Sequence, residues 1–355
     1  MLRSTEKILI VIFLFFVLLC QVIRDWEHIT KQEKNKGITK NVFINETKML
    51  KEIGRLLQKY KPWRSRQFKG HEKYEHFRRQ QKITKFVIAT EARSGSSIFG
   101  HCLTLSGTVF YIFEPFKYFK KIGEEDVDQT ELQRSGHELL NNILNCNMPF
   151  LLKQHFKYMH LEYAKNIMDV KRTCRGNSTK GTKIIRLCDT EILHKTLGGD
   201  TALIYLFRDP RAIISSRMQA TISTFEVAMD KVCYCALRKL RNVAKYIRSE
   251  YAQKQDPEQP PIIIAKYEQF ADHPVEYMKV LYKALNLDFN TNVELLIKNQ
   301  TGTKPDIEKS FDLWRNASEI PHKWKTELSR DDIFIIQNDT RCKKIIDVLG
   351  YELIT

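Results

Sequence analysis

The sequence predicts an α/β protein, in which helices flank an open parallel sheet that carries a P-loop-like strand–loop–helix unit. Three observations support this fold class. Short apolar runs recur over the last three quarters of the chain. Apolar residues follow one another in these runs and do not alternate regularly with polar residues, which is typical of strands buried on both faces. Segments of helical periodicity separate the runs, as expected for βαβ units.

The elements follow in order along the body of the chain. The predicted strands are residues 86–90, 109–113, 183–187, 202–207 and 262–266. The predicted helices are residues 97–105, 212–224, 232–251 and 274–285. In a parallel sheet of this kind, ligands bind beyond the carboxyl ends of the strands. The residues just after each run are therefore where functional side chains are expected.

The N-terminus predicts a transmembrane signal anchor at residues 8–23, preceded by a cytosolic tail at residues 1–7. Residues 8–20 are uninterrupted apolar sequence, and Val22 and Ile23 extend the run. A bilayer span needs about 20 residues, with a lower limit of about 17, so this run suits a thin internal membrane. The alternative is a cleaved signal peptide, although no small-x-small cleavage site follows the run.

Residues 24–82 are predicted to form a lumenal stem, which connects the anchor to a catalytic body at residues 83–355. Residues 24–85 hold 18 Lys/Arg and 7 Asp/Glu, and thus most of the net charge of +16. One interpretation of the stem is a solvated spacer with a short amphipathic helix, which packs on the body or pairs two chains into a homodimer. The other is a basic tract that attracts anionic glycans or lipid headgroups. The body carries little net charge, so we expect no nucleic-acid partner.

Glycosylation signals place the body on the lumenal side of a single-pass type II membrane protein. All five Asn-x-Ser/Thr acceptors lie after the predicted anchor. They are Asn45, Asn177, Asn299, Asn316 and Asn338. A lumenal body would have its cysteines in an oxidising compartment.

Seven cysteines follow Cys20, and this odd number leaves at least one unpaired or paired between chains. The helical spacing of Cys233 and Cys235 disfavours a bridge between them. A bridge from Cys235 to Cys342 is one candidate pairing. The histidines are not spaced as zinc ligands, so no metal site is predicted.

The first candidate anion site is the loop after the first strand, which contains Arg93, Ser94, Gly95, Ser96 and Ser97. Glycine permits a tight turn, and the exposed N–H groups and dipole of the following helix attract an anion. The arginine and the serine hydroxyls add donors. No Gly-Lys-Ser/Thr follows, so the loop is not a Walker loop that binds Mg²⁺. Alternatively, it is an ordinary N-cap turn.

The second candidate anion site follows the fourth strand. Arg208 ends the strand, and Pro210 suits the first turn of a helix. Ser216 lies about two helical turns beyond Arg208, so both side chains can face one point and hold a phosphate. Alternatively, Arg208 and Asp209 form a surface ion pair beside a helix of no special role.

Together, the two loops suit a nucleotide with two separated anionic ends. The pair resembles the 5′-phosphosulfate and 3′-phosphate motifs of the Golgi carbohydrate 6-O-sulfotransferases, which use 3′-phosphoadenosine-5′-phosphosulfate (PAPS). The matching motifs, in chain order, are residues 93–97, 113–115, 208–212 with 216–217, 267–269 and 349–351. The resemblance spans about residues 84–353.

The resemblance implies the sulfotransferase fold, a Golgi membrane location and transfer of a sulfuryl group from PAPS to a hydroxyl of a glycan or glycosaminoglycan. It implies that residues 93–97 hold the 5′-phosphosulfate and that Arg208 and Ser216 hold the 3′-phosphate. Glu114 is the leading candidate for the base and His101 is a weaker one, while Arg93 would stabilise the charge that develops on the bridging oxygen. Glu114 is alternatively an ion-pairing or capping carboxylate. Arg186 and Lys183 would meet the sulfuryl group or an acidic acceptor, or would instead pair with Asp189.

Some positions depart from the family pattern. Glu91 would repel an anion if it points inward, Glu268 is followed by Gln269 where the family has Asp, and Lys325 stands in a region where the family tends to have Trp-Arg. Two other readings are a catalytically inactive glycan-binding relative and a P-loop kinase. Acceptor selection is expected in residues 117–150 and 221–260, since such loops vary most.

Overall fold

The computed structural model describes residues 50–51, 54, 82–119, 129–150, 153, 166–248, 258–302 and 319–354. The predicted tail, the predicted anchor and almost all of the predicted stem lie outside these residues. Asn45 and Asn316 also lie outside them. No helix in the described part of the chain combines the length and the apolar character that a membrane span requires.

Five parallel strands form the central sheet, as the sequence predicts. In chain order, the strands are β1 Lys85–Ala89, β2 Val109–Phe113, β3 Thr179–Ile184, β4 Thr201–Phe207 and β5 Ile262–Lys266. Their spatial order is β2-β3-β1-β4-β5, and every neighbouring pair is parallel. The strand between β3 and β4 is therefore β1, and all carboxyl ends lie on one edge.

Helices occupy the connections, as expected for a parallel sheet. In chain order, they are α1 Ser96–Thr104, α2 Gln129–Leu144, α3 Ile167–Gly176, α4 Glu191–Thr196, α5 Pro210–Gln219, α6 Phe225–Arg248, α7 Tyr267–Asp272, α8 Pro274–Ala284, α9 Thr291–Thr301, α10 Trp324–Glu327, α11 Arg330–Asn338 and α12 Thr340–Leu349. A 3₁₀ helix, Pro115–Phe119, follows β2.

Apolar side chains of the central strands and the surrounding helices form the core. Every residue of β4 is buried, and β1 is buried from Phe86 onward. On one face of the sheet, Phe99 of α1 packs edge-to-face against Phe270 of α7, with ring centroids 5.2 Å apart. The helices α8 and α9 extend the same cluster through Met278 and Ile297. This burial fixes the two central strands, whose ends carry the candidate anion loops.

The third strand lies earlier in the chain than predicted. The sequence indicates residues 183–187, whereas β3 ends at Ile184 and begins at Thr179. Gly181 lies against the ring of Phe86, where an added Cβ would come within 2.1 Å of the ring. The Thr182 hydroxyl donates to the carbonyl of Ile112 at 2.8 Å. The segment 179–182 looks polar in the sequence but forms a buried strand, because neighbouring strands satisfy its polar groups. Arg186 therefore follows the strand and does not lie in it.

Two predicted helices also shift. The helix predicted at residues 212–224 ends at Gln219, and Thr221 two residues later has a positive φ of 52° that stops helical propagation. The helix predicted at residues 232–251 begins at Phe225, two turns earlier. The first helix and α8 match their predicted positions within two residues.

Three disulfides link the described cysteines: Cys146–Cys174, Cys188–Cys235 and Cys233–Cys342. The Cys235–Cys342 pairing considered from the sequence is therefore wrong. Cys233 and Cys235 are two positions apart on α6, so they point in different directions and reach different partners. Cys102 is free and buried, which agrees with the odd number of cysteines after Cys20.

Candidate active site

The loop between β1 and α1 presents the uncapped start of a helix. Gly95 is the N-cap residue of α1, with a φ of 83°, and among the described residues no side chain caps the helix there. The first N–H groups of a helix have no partner within it. Ser96 and Ser97, which open the helix, therefore lie where backbone donors and the helix dipole favour an anion.

Gly95 is also held in close contact with Tyr267. A Cβ on Gly95 would lie 2.1 Å from the nearest ring carbon of Tyr267, so only glycine fits under the ring. Arg208 also lies near this ring, with its guanidinium carbon 4.9 Å from the ring centroid. Tyr267 thus connects the first loop to the residue that follows β4, and the Tyr-Glu step seen in the sequence has a structural role.

The second candidate anion site joins Arg93, Arg208 and Ser216. Arg93 Nε donates to Ser216 Oγ at 3.0 Å, and Arg208 Nη1 donates to the Arg93 carbonyl at 2.8 Å. Arg208 Nη2 donates to the carbonyl of Ile320 at 3.0 Å. Arg208 is 6% exposed, and its Nε has no hydrogen-bond partner within the described residues. The three predicted phosphate-binding side chains therefore meet at one place.

Lys183 brings a buried positive charge to the other end of the first loop. It is 2% exposed, and its Nζ donates to Ser97 Oγ at 2.9 Å and Ser96 Oγ at 3.4 Å. The ammonium also lies 3.6 Å from the ring centroid of Phe113, a favourable cation–π distance. Burial lowers the pKa of Lys183 to about 8, although Glu114 acts in the opposite direction.

Glu114 follows β2 and faces a cluster of cations. Arg186 Nη1 donates to its Oε2 at 2.8 Å, Lys183 Nζ lies 3.4 Å from Oε1, and Lys117 Nζ lies 3.7 Å from Oε2. Burial alone would raise the pKa of Glu114, but these three cations hold it below the ordinary value. Glu114 is thus an ionised carboxylate, and the ion-pairing alternative describes its contacts in this structure.

The two clusters lie on opposite sides of β1. Glu114 and Lys183 come from β2 and β3, whereas Arg208 follows β4 on the other flank. Neighbouring strands are about 4.8 Å apart, so the loop after β1 lies between two separated positive regions. At one end of that loop Ser97 contacts Lys183, and at the other end Arg93 contacts Ser216. The site can therefore bind one ligand with two anionic ends.

Glu91, which would repel an anion if it pointed into the site, is neutralised inside the protein. It is 5% exposed and forms an ion pair with Lys239 of α6, which is itself 1% exposed. Arg217 Nη2 lies 3.9 Å from Glu91 Oε2, and Arg217 Nε donates to the carbonyl of Ala92 at 3.4 Å. The sequence offers no local signal for Lys239, because it comes from a helix 148 residues later in the chain.

The Leu-Gly-Tyr segment at residues 349–351 is connected to the second candidate anion site through Glu268. Glu268 accepts hydrogen bonds from the Asp209 N–H at 2.9 Å and from the Tyr351 hydroxyl at 2.8 Å. Lys266 donates to the Leu349 carbonyl at 2.6 Å and lies over the Tyr351 ring. Burial raises the pKa of Glu268. The Tyr-Glu step and the Leu-Gly-Tyr segment are thus connected by hydrogen bonds, and Glu268 has its partners without the Asp of the family pattern.

The remaining predicted residues lie at the edge of the site or away from it. Ser94 is fully buried, and its hydroxyl accepts from Thr90 at 2.6 Å, so it supports the loop from inside. His101 lies in the last turn of α1. Lys325 is exposed on α10, while its neighbour Trp324 is buried against Arg211, whose guanidinium carbon lies 4.1 Å from the ring centroid.

Comparison with curated proteins finds extended but distant sequence similarity. The chain is 22% identical over 333 residues to human carbohydrate sulfotransferase 1, covering 76% of this chain and 80% of that protein. It is 23% identical over 345 residues to zebrafish (Danio rerio) carbohydrate sulfotransferase 1, covering 79% and 80%. Rat carbohydrate sulfotransferase 3 is 21% identical over 324 residues, covering 75% and 67%. These similarities support the carbohydrate sulfotransferase family, and no family model matches the sequence.

Among solved structures, the sulfotransferase domain from the curacin biosynthetic pathway matches with a TM-score of 0.47 at 17% identity, covering 77% of this chain and all of that domain. Mouse sulfotransferase SULT7A1 complexed with PAP matches with a TM-score of 0.39 at 9% identity, covering 76% of this chain and 89% of that chain.

Proposed function

We propose that this chain is a PAPS-dependent carbohydrate sulfotransferase that transfers a sulfuryl group to a sugar hydroxyl, at the 6-O position. The observation that carries the proposal is the pair of positive clusters on the two sides of β1, which the loop at residues 93–97 connects. The similarity to proteins named carbohydrate sulfotransferase supports the choice of reaction.

In this proposal, each end of the nucleotide binds one cluster. Arg208 and Ser216 bind the 3′-phosphate, and the unpartnered Nε of buried Arg208 gives that phosphate a further donor. The helix start at Gly95, Ser96 and Ser97 binds the 5′-phosphosulfate through backbone N–H groups and hydroxyls. These side chains and amides supply the positive charge, so the proposal requires no metal ion.

The transfer itself is an in-line displacement at sulfur. A bond forms between the acceptor oxygen and sulfur, while the bond from sulfur to the bridging oxygen breaks and its electron pair stays on the 5′-phosphate. Catalysis requires a positive group at the bridging oxygen. The resemblance implied Arg93, but its side chain lies with Ser216, and Lys183 beside Ser97 is better placed for this task.

The acceptor hydroxyl must lose a proton as the new bond forms, and we assign its acceptance to Glu114. Its three cations keep this carboxylate ionised and able to accept a hydrogen bond from the acceptor hydroxyl, and by lowering its pKa they also make it a weaker base. Arg186, which donates to Glu114 at 2.8 Å, orients the carboxylate and adds positive charge near the sulfuryl group.

We further propose that the enzyme is a single-pass type II Golgi membrane protein with a lumenal catalytic body. The three disulfides are consistent with an oxidising compartment. Asn299 and Asn338, two of the predicted glycosylation acceptors, are exposed, whereas Asn177 is partly exposed. Attached glycans at the exposed positions would be compatible with the folded body.

A sulfate-transfer assay with radiolabelled PAPS and a panel of glycan acceptors tests the proposed function. The wild-type protein should label at least one acceptor, and linkage analysis of the product should place sulfate at C6. Arg208→Ala should lose transfer while keeping its fold by circular dichroism, and Glu114→Gln should reduce turnover more than it changes the KM for PAPS. Transfer of phosphate from ATP would replace the proposal with a kinase, and no transfer to any acceptor would favour an inactive glycan-binding protein.

A further inference from the structure

Three buried charged side chains, which the proposed mechanism does not use, adjoin the first candidate anion loop. Glu91, which follows β1, forms ion pairs with Lys239 of α6 and with Arg217 in the last turn of α5. The exposed fractions of Glu91, Lys239 and Arg217 are 5%, 1% and 5%. We call these three residues the buried triad. Two of them come from helices far away in the sequence, so only the fold brings the triad together beside the loop.

Stability alone does not account for the buried triad. Removing two cations and a carboxylate from water carries a desolvation cost that their mutual attraction must offset. Apolar side chains of similar volume often give equal or greater stability in such a position. The triad therefore has to be explained by what its members hold in place.

Arg217 connects the buried triad to the backbone of the loop. Its Nη2 lies 3.9 Å from Glu91 Oε2, and its Nε donates to the carbonyl of Ala92 at 3.4 Å. The next carbonyl, that of Arg93, accepts from Arg208 Nη1 at 2.8 Å. Arg208 precedes α5 and Arg217 lies in its last turn. Two consecutive carbonyls of the loop are therefore held by arginines from opposite ends of one helix.

The direction of a carbonyl fixes the direction of the N–H group in the same peptide. All described peptide bonds are trans, and in a trans peptide the C=O and N–H groups point to opposite sides. The Arg93 N–H therefore points away from Arg217. Arg93 and Gly95 both have left-handed backbones, with φ angles of 72° and 83°, and such residues turn successive N–H groups toward one anion. The contact between Arg217 and Ala92 thus sets the direction of the first N–H group in this series.

We propose that the buried triad positions the loop that receives the 5′ end of the nucleotide. Lys239 holds the carboxylate of Glu91, and Glu91 holds the guanidinium of Arg217. Arg217 in turn fixes the peptide between Ala92 and Arg93. The three side chains act through the loop backbone and do not contact the nucleotide, so they are positioning residues. This inference rests on the proposed function, which assigns the 5′ end of the nucleotide to this loop.

Nucleotides with a single phosphate test this role on the full-length protein. The double variant Glu91→Gln with Lys239→Met removes both charges of the pair together, so that neither is left buried without the other. Measured by isothermal titration calorimetry, affinity for 5′-AMP should fall by roughly fivefold, because the loop loses its fixed N–H direction. Affinity for 3′-AMP should change by no more than about twofold, since Arg208 and Ser216 hold that phosphate. A purely structural role would lower both affinities alike.

Arg217→Lys tests the last contact of the triad separately. Lysine keeps a positive charge beside Glu91 but lacks the guanidinium fork that reaches two acceptors, so this variant should show the same selective loss of 5′-AMP affinity. The matched control is Lys85→Met with Asp200→Asn. It removes the charges of another ion pair, whose Nζ and Oδ2 lie 3.0 Å apart at the start of β1, and both affinities should stay as in wild type.

Hydrogen exchange of the unliganded protein, measured by mass spectrometry, separates this inference from the proposed function. The amides of residues 91–95 should exchange faster in both test variants than in wild type and in the control. Unchanged exchange, or an equal loss of 5′-AMP and 3′-AMP affinity, would overturn the positioning role. If exchange changes as expected but wild type binds neither of these nucleotides nor adenosine 3′,5′-bisphosphate, the triad still positions the loop and the proposed function fails.

Discussion

Arg93 and Glu114, which lie at the two ends of the candidate site, both have left-handed backbone conformations, with φ angles of 72° and 49°. Such angles are uncommon for residues with a side chain, and they persist only where the surroundings hold them. Arg93 is held by its contacts with Ser216 and Arg208, and Glu114 by its three cations. The contacts within the protein therefore hold this arrangement, as preorganised catalysis requires.

Gly95→Ala should weaken nucleotide binding because the loop cannot accept a Cβ. The left-handed conformation costs about 1–2 kcal/mol for a residue other than glycine, and the added carbon would also collide with Tyr267. Affinity for adenosine 3′,5′-bisphosphate should fall by roughly tenfold or more, measured by isothermal titration calorimetry. Gly107→Ala is the matched control, since Gly107 has a φ of 72° and open space around it. Equal loss in both variants would mean that backbone strain alone, without the contact to Tyr267, determines the effect.

Lys183 should give the reaction an alkaline limit. Its ammonium faces Glu114, Lys117 and Arg186, and its pKa lies at about 8 in the unliganded protein. As pH rises through this value, Lys183 loses the positive charge that we assign to the bridging oxygen, so kcat/KM for PAPS should fall above pH about 8. The limit in kcat should lie at higher pH, because a bound anion stabilises the protonated form.

Replacing this lysine with arginine separates its charge from its titration. Lys183→Arg should remove the alkaline limit, since arginine stays protonated, even if kcat is lower. Lys180→Arg is the matched control, because Lys180 lies at the other end of the same strand and donates to the carbonyl of Asn177. An alkaline limit that is unchanged in Lys183→Arg would assign it to another group.

At the scale of elements, the sequence predicts the sheet and the positions of the loops after β1 and β4 well, because both depend on local patterns. Continuous apolar runs identify β2 and β5 to the residue. The position of β3 is missed, because the segment 179–182 is polar and becomes a buried strand only through Phe86 and the carbonyl of Ile112. Such pairing is tertiary information, which single-sequence patterns do not contain.

The long-range contacts of α6 are a second example of structure that sequence patterns do not reveal. Its Lys239 neutralises Glu91, its Cys235 attaches the loop after β3, and its Cys233 attaches α12. Each partner lies far away in the sequence, so neither spacing nor periodicity reveals the pairing. For this reason, the sequence gives no sign that Glu91 is neutralised. In the fold, its buried carboxylate pairs with Lys239.

For the whole molecule, the proposed nucleotide site depends on how the functional groups are distributed over the sheet. The chain crosses from one flank of β1 to the other between β3 and β4. The two positive clusters therefore lie on either side of a strand-order reversal, where open α/β sheets bind their ligands. In the proposed function, a ligand that reaches only one cluster lacks the contacts of the other, so affinity should depend on the separation of its two anionic groups.

Nucleotides that differ only in their phosphates test this consequence. Adenosine 3′,5′-bisphosphate should bind more tightly than 5′-AMP and 3′-AMP, each by roughly tenfold or more, because hydrogen bonds to a charged group contribute about 1.5–3 kcal/mol. Arg208→Ala should bring the affinity for the bisphosphate close to that for 5′-AMP. The affinity for 5′-AMP should fall less, because that ligand loses only the support that Arg208 gives to the Arg93 carbonyl. Calorimetry on wild type and variant measures all of these affinities. Tighter binding of ATP than of the bisphosphate would show that the cluster at Arg208 and Ser216 does not select a 3′-phosphate, and the two-ended site would then be wrong.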